Sequence, residues 1–378
     1  MNVQSLQFYQ LQIPFKVAFK HSSASRMTTE SIWVEARLEN GLTGYGESCP
    51  RAYVTGETLE TASNFLNAIR ERVIQEVHTI EDLKRWVATE KDGIDHHPAA
   101  WCALELALLD LLGKSGDRSV EDLLGLPALR DTFSYTAVLG DSAIDVFRAQ
   151  LEQYGSLGFR DYKVKVSGNL AQDRDKLACF TKRTDPVHVR LDANNLWHDP
   201  GEAIRYVQSL DFPVWAIEEP LAAGDFKGLS EMARQLGIKI ILDESFLRAE
   251  DFRYLQEAPD AWIINLRISK MGGLIRSIGI VDAANRLGID LIIGAQVGET
   301  SLLTRAALSI ANYAGQRLLA QEGAFGTFLL TNDMVTPQLM FGEAGKLEIH
   351  QFKFAQKSGF GLLLDATVNS GELKTRLD

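Results

Sequence analysis

Two lysines lie two residues apart in Tyr162-Lys-Val-Lys-Val166, and they precede three acids, Asp192, Glu218 and Asp243, and then Arg267. Counted from Lys165, the intervals are 27, 26, 25 and 24 residues, and each residue sits at or near the end of a short apolar or β-branched run. Residues two apart on a strand share a face, so Lys163 and Lys165 point the same way. Three carboxylates without His or Cys form a hard all-oxygen set. It suits Mg2+, with Mn2+ as an alternative, and leaves positions for water and substrate. Bare carboxylates held together repel, so the set calls for a divalent cation. A lysine acts as a base only when neutral, and a second ammonium or a cation nearby lowers its pKa. The chemistry implied is removal of the proton beside a carboxylate, with the metal holding that carboxylate as charge develops. Any one of these acids alone is better explained by an ion pair with a neighbour. What marks a site is the repeat of all three behind Lys-x-Lys.

The elements that must position them form a repeat. Runs at 133–139, 161–166, 187–192, 214–218, 238–243, 262–268 and 290–294, with a weaker one at 316–322, alternate with amphipathic helices. A near-constant βα period repeated eight times predicts an α/β barrel, with the five residues above converging on the mouth at the strand C-termini. An open doubly wound sheet shares the period, but no phosphate-binding glycine fingerprint follows a first strand. Gly44-Tyr-Gly46 reads as turn glycines of a front hairpin, with strands at 31–38 and 43–47 joined by Asn40-Gly41. Helical patterns follow at 59–77, 80–89 and 98–113, the last apolar on all sides and therefore buried. The expected division is an α+β module over 1–130, the barrel over 131–344 and a tail over 345–378 that packs back on the module.

Composition narrows the partners. The 378 residues accommodate a barrel of about 250 residues plus an appendage, and 46% apolar with 24% charged is globular usage. The 50 acidic side chains outnumber the 39 basic ones, giving a net charge of -11, which argues against nucleic acid or an anionic membrane as partner. Cys49, Cys102 and Cys179 form no C-x-x-C pair and suit a reducing compartment. No signal-peptide pattern opens the chain and no apolar run reaches membrane-spanning length, so a cytoplasmic protein is expected.

Over essentially its whole length the chain resembles the muconate cycloisomerase (muconate-lactonizing) subgroup of the enolase superfamily, a mandelate racemase/muconate lactonizing enzyme-like protein. The resemblance rests on Thr43-Gly-Tyr-Gly-Glu-Ser48, Tyr162-Lys-Val-Lys165, Asp192-Ala-Asn194 with Trp197, Ile217-Glu-Glu-Pro220 and Leu242-Asp-Glu-Ser245. Asn265-Leu-Arg-Ile-Ser-Lys-Met-Gly-Gly273 and Phe325-Gly-Thr-Phe-Leu-Leu-Thr331 complete it. It implies a (β/α)7β-type TIM barrel with an N-terminal α+β capping domain completed by the C-terminal tail, and commonly a homo-oligomer. It implies Asp192, Glu218 and Asp243 as metal ligands, Lys165 as catalytic base and Lys163 as its electrostatic partner. Asn194 would orient a ligand or the substrate. Capping loops near 15–29 and 48–57 would choose the substrate, a small anionic carboxylate, with Arg26, Arg51 and Tyr53 as polar candidates.

Two departures bear on the reaction. The subgroup usually carries Lys-x-x-Lys before the paired glycines, and here Arg267 takes the first position. Lys270 keeps the second, and strand parity predicts that it faces away from the site. Arginine does not deprotonate, so racemisation with a lysine on each face is disfavoured. The dipeptide epimerases' Asp-x-Asp near the eighth strand is also missing, leaving Glu322 as the single acid there to meet a hydroxyl or ammonium. The expectation is therefore a one-base cycloisomerase or lyase (muconate cycloisomerase-like or a dehydratase) working through an enolate. The alternatives are a dipeptide or amino-acid epimerase or racemase, and a non-catalytic barrel that binds carboxylates through its metal.

Overall fold

The front module starts with β1 (Val3–Leu11), followed by a hairpin of β2 (Pro14–His21) and β3 (Ala24–Thr28) and then by β4 (Ser31–Leu38) and β5 (Thr43–Ser48). The structure is a computed structural model. It describes residues 1–378 except 22–23, 182, 184–185, 353–356, 366–373 and 378, and only the backbone of 17–21, 24–26 and 374. Strands β1, β4 and β5 pair antiparallel. Helices α1 (Leu59–Glu76), α2 (Ile80–Thr89), α3 (Lys91–His96), α4 (Pro98–Ser115) and α5 (Val120–Leu124) cover the sheet. Thr58 and Thr79 start α1 and α2 by accepting the backbone N–H three residues on, which satisfies otherwise orphaned donors. Residues Pro98–Gly113 of α4 are all buried, as their apolar run predicts.

Gly44 and Gly46 correct the turn reading. They lie within β5, where a Cβ would stand 2.3 Å from Ala107 O and 1.9 Å from Ala103 O of α4. They are glycines because strand and helix backbones touch there.

After β6 (Thr132–Ser134), eight parallel strands follow in sheet order: β7 (Ala137–Leu139), β8 (Asp161–Lys165), β9 (His188–Asp192), β10 (Ala216–Glu218), β11 (Lys239–Leu242), β12 (Trp262–Leu266), β13 (Asp290–Ile293) and β14 (Leu318–Gln321). The first and last approach each other where Thr136 N donates to Gln321 O at 2.7 Å. The crossovers carry α6 (Ile144–Ser156), α7 (Leu170–Thr181), α8 (Pro200–Ser209), α9 (Phe226–Leu236), the short α10 (Ile268–Met271) with α11 (Leu274–Leu287), and α12 (Ser301–Ala314). Between β11 and β12 the connection holds only 3-10 turns, at Ala249–Tyr254 and Pro259–Ala261. This is the eight-stranded barrel with a capping domain that the repeat and the resemblance predict.

The barrel interior is divided. Ala216, Ile241, Ile263, Ile292 and Ala320 form a dry inner cluster on five consecutive strands. Each lies on the inward parity of its strand, two residues before the mouth position on four of the strands and four before Arg267 on β12, so an apolar floor stacks beneath the polar rim. The other half of the floor is ionic, with Arg190 Nη1 2.8 Å from Asp161 Oδ2 and Arg190 Nη2 3.1 Å from Thr136 Oγ1.

In the tail, β15 (Val335–Thr336) pairs with β17 (Leu363–Leu364), β16 (Lys346–Glu348) with β6, and β18 (Lys374–Arg376) with β1 of the front sheet. Buried acids of the front module start barrel helices. Glu47 accepts from Thr300 N at 2.9 Å ahead of α12, and Glu105 accepts from Ile275 N at 3.0 Å in α11. Arg305 of α12 grips Glu121 of α5 through two 2.8 Å bonds and donates to Phe360 O at 3.0 Å. Cap, barrel and tail therefore share one buried polar seam. Among the described residues, no helix is long and apolar enough to cross a membrane.

Candidate active site

The strand ends bring together Lys163, Lys165, Asp192, Glu218, Asp243, Arg267 and Glu322 at the barrel mouth. Parallel pairing sets Lys165 beside Asp192 and Asp192 beside Glu218. Lys163 is buried, with Nζ 2.8 Å from Glu218 Oε2, 3.2 Å from Glu322 Oε2 and 3.3 Å from Asp192 Oδ2. Burial alone would lower its pKa. The charges of Asp192, Glu218 and Glu322 outweigh that and hold it above the usual lysine value, so Lys163 is a fixed cation. Lys165 is less buried. Its Nζ donates to Asn194 Oδ1 at 2.6 Å and lies 3.4 Å from the same Asp192 oxygen. Asn194 also returns its backbone N–H to Asp192 Oδ1 at 3.2 Å, so it aligns both the lysine and the acid.

The three acids differ electrostatically. Burial raises the Asp192 pKa, but Lys163 and Lys165 pull it well below the usual carboxylate range. Asp243 is likewise lowered against its burial by Arg267 and Lys270. Glu218 is pushed up to about 7, by burial first and then, against the pull of Lys163, by Asp192, Glu322 and Asp243. Its Oε2 is buried without a hydrogen bond; the 2.8 Å approach of Lys163 is an ion pair only. As the side chains stand, no three His, Cys, Asp or Glu among the described residues close on a metal ion. The acids are turned to ammonium and guanidinium groups instead. The donor set still fits a hard dication, being all carboxylate on adjacent strand ends, with one oxygen lacking a hydrogen bond and one proton affinity raised by burial and then by like charge.

Arg267 follows β12 and bonds the Asp243 carboxylate, with Glu218 Oε1 3.8 Å away and Gln296 Oε1 3.0 Å away. Lys270 overturns the parity argument. The chain leaves the strand at Leu266 and turns into α10, which swings Lys270 back to donate to Asp243 O at 2.7 Å and Oδ1 at 2.9 Å.

The remaining substrate-binding expectations fare differently. Glu322 is buried and committed, with Oε1 taking Arg190 Nη2 at 2.8 Å and Oε2 facing Lys163. Those two cations hold its pKa down against its burial. Both of its oxygens are thus turned to cations of the barrel interior. Arg51 is also committed, its guanidinium donating to Glu30 O at 2.9 Å, Pro50 O at 2.7 Å and Val297 O at 2.6 Å. It fastens capping loops to the loop after β13. Tyr53 lies in the turned segment after Arg51 and is half-buried. The Arg26 side chain lies outside the described residues.

Sequence reasoning missed Arg190, Asn265, Gln296, Lys270 and Glu219. The first two were accessible, since Arg190 lies two before Asp192 and Asn265 two before Arg267, on the inward parity. Asn265 Nδ2 donates to Glu218 Oε1 at 3.1 Å. The other three lie where the chain has left the strand, and parity does not apply to them.

Comparison with known proteins agrees with this fold. Residues 5–125 match the family model described as mandelate racemase/muconate lactonizing enzyme, N-terminal domain, and residues 146–368 match enolase C-terminal domain-like. A hydrophobic dipeptide epimerase of Enterococcus faecalis is 28% identical over 92% of this chain and 99% of its own. An L-Ala-D/L-Glu epimerase of Bacteroides thetaiotaomicron is 30% identical over 79% of this chain and 75% of its own. The crystal structure of a dipeptide epimerase from Methylococcus capsulatus, complexed with Mg and the dipeptide L-Arg-D-Lys, is 28% identical. It superposes with a TM-score of 0.81 over 96% of this chain and 100% of that one. The chain belongs to the mandelate racemase/muconate lactonizing enzyme family of the enolase superfamily, and it is an enzyme of that superfamily.

Proposed function

We propose that this enzyme removes the α-proton of a small carboxylate, with Lys165 as base, and epimerises an amino-acid-derived substrate of the dipeptide type. The observation that carries the first part is the position of Lys165 Nζ, held at 2.6 Å by Asn194 and 3.4 Å from Asp192 at the edge of the acid set. The second part is supported by the relatives, which are epimerases acting on dipeptides. Asp192, Glu218 and Asp243 would hold Mg2+, the ion of the crystal neighbour; Mn2+ draws no support from it. When bound, Mg2+ supplies positive charge to the substrate carboxylate as the α-proton leaves. The proton goes to neutral Lys165 Nζ, and inversion is completed when the opposite face of the enolate takes a proton from a donor other than the Arg267 guanidinium, such as solvent. Lys163, ion-paired on three sides, keeps its own proton and adds fixed positive charge beside the base. Arg267 presents a permanent cation from the sixth strand end.

One observation favours a second reading. A guanidinium does not give up its proton, so Arg267 leaves Lys165 as the single lysine base of the mouth. That suits one-base elimination or cycloisomerisation, the muconate cycloisomerase or dehydratase type. The test is incubation with Mg2+ in D2O of dipeptides, N-acyl amino acids, muconates and acid sugars, followed by proton NMR. Loss of the α-proton signal with inversion supports epimerisation; release of a β-group or ring closure supports the second reading. Calorimetric binding with no turnover across the whole set would leave the non-catalytic carboxylate-binding barrel. Undiminished turnover in Lys165→Ala, or in EDTA, overturns both catalytic readings.

A further inference from the structure

Glu219 is the second acid of Ile217-Glu-Glu-Pro220. Strand alternation would send it outward, into the layer between strand and helices. The chain does something else: β10 ends at Glu218, and Glu219 adopts φ +39°, a conformation that L residues rarely hold and that is maintained only where surrounding contacts over-determine it. Those contacts all converge on its carboxylate, which is fully buried. Oε1 accepts from Asp243 N at 2.6 Å and Ser245 N at 2.7 Å; Oε2 accepts from Ser245 Oγ at 2.7 Å and Asn195 Nδ2 at 3.3 Å. The main chain adds Asn195 N donating to Glu219 O at 2.7 Å. Asn194 and Asn195 are themselves at φ +45° and +60°.

One side chain therefore touches three consecutive strand ends. It holds the backbone amide of Asp243, it follows Glu218 directly, and through Asn195 it grips the loop three residues beyond Asp192. Asp192, Glu218 and Asp243 each belong to a separate βα unit, so the spacing of their carboxylates depends on contacts that join the units at the strand ends. An octahedral Mg2+ site tolerates little error in that spacing.

We propose that Glu219 is the positioning residue that sets the spacing of the three strand-end carboxylates, and hence the affinity of the site for Mg2+. This rests on the reading of those carboxylates as the metal ligands. Glu219 itself uses both oxygens on the protein, so it acts through the ligands and does not add a fourth.

The experiment is calorimetric titration of MgCl2 into the full-length, substrate-free protein and its variants, with near-UV circular dichroism to confirm folding. Glu219→Ala is expected to raise the Mg2+ Kd about 10- to 100-fold, the range for lost outer partners of metal ligands. Glu219→Gln keeps an acceptor for the two amides and its NH2 group donates to a rotated Ser245 hydroxyl, but it loses the bond from Asn195 Nδ2, so affinity should return to about the level of Asn195→Ala, well above that of Glu219→Ala. Ser245→Ala and Asn195→Ala each delete one contact to Glu219, together with one to the main chain (Gly224 N to Ser245 Oγ at 3.0 Å, Asn195 Nδ2 to Leu221 O at 2.7 Å), and should cost about 3- to 10-fold. In the Glu219→Ala background, Ser245→Ala should cost nothing more. If Glu219→Ala does not fold, the two single-contact variants decide the matter. Unchanged Mg2+ affinity in the folded variants, even with a lowered melting temperature, would make Glu219 merely structural and overturn the inference alone. Absence of Mg2+ binding by the parent would overturn the ligand assignment and this inference with it.

Discussion

Lys163→Met retains most of the aliphatic stem and removes the ammonium, leaving Glu218, Glu322 and Asp192 facing one another without the cation that lies 2.8, 3.2 and 3.3 Å from them. Breaking a buried ion pair by deleting one partner costs about 3–5 kcal/mol, because the surviving charge stays buried and uncompensated. Here Glu218 offers a partial escape, since it is already pushed up to about 7 by burial. A carboxyl whose folded pKa lies above its unfolded value binds more protons folded than unfolded, so its contribution to stability falls as pH rises through that window, from about 4.5 to about 7. Without Lys163 the upper edge moves higher. The loss should therefore be near the low end of the range, about 3 kcal/mol, at pH 6 and near the high end, about 5 kcal/mol, at pH 8. Urea unfolding at both pH values, in EDTA and in MgCl2, measures it. A dication bound to the same carboxylates at about 100 times its Kd returns about 2.7 kcal/mol. A loss under about 1 kcal/mol at pH 8, or a loss that Mg2+ does not reduce, would refute the claim that Lys163 and the metal neutralise the same acids.

Three further outcomes follow from named contacts. Glu47, raised to about 8 by burial, makes stability decline as pH climbs from about 4.5 to 8. Glu47→Gln should flatten that decline by on the order of 1–3 kcal/mol in pH-dependent urea midpoints, and an unchanged slope would contradict it. Arg267→Lys keeps a cation but restores a group able to lose a proton, so stereochemical inversion in D2O should rise at least about 10-fold relative to elimination or retention. An unaltered product ratio would show that this position does not face the α-carbon. Arg51→Met removes three bonds to loop carbonyls and should lower stability by about 1–3 kcal/mol with KM changed less than about 2-fold. A large rise in KM alone would restore Arg51 as a substrate contact.

Much of the active site was legible in the chain because strand geometry is periodic. Alternation places Lys163 with Lys165, Arg190 with Asp192, and Asn265 with Arg267, and the βα period carries Asp192, Glu218 and Asp243 to one rim. Alternation ends where the strand ends. Lys270 faces Asp243 because α10 begins two residues after β12 ends, and Glu219 turns inward because its φ is positive. The pairing of Glu322 and Arg51 inside the protein was not legible for a different cause. Each has a hydrogen-bond partner over 100 positions away: Arg190 for Glu322 and Val297 for Arg51.

The residue types and intervals alone thus pointed to the barrel, a front α+β module and a set of charged groups at one rim, because periodicity and charge type are local properties of the chain. Only the tertiary structure decided which charged groups remain available to a ligand and which are already paired inside the protein. That depends on partners supplied by other βα units and by the capping module, and no spacing along the chain records the distance between them.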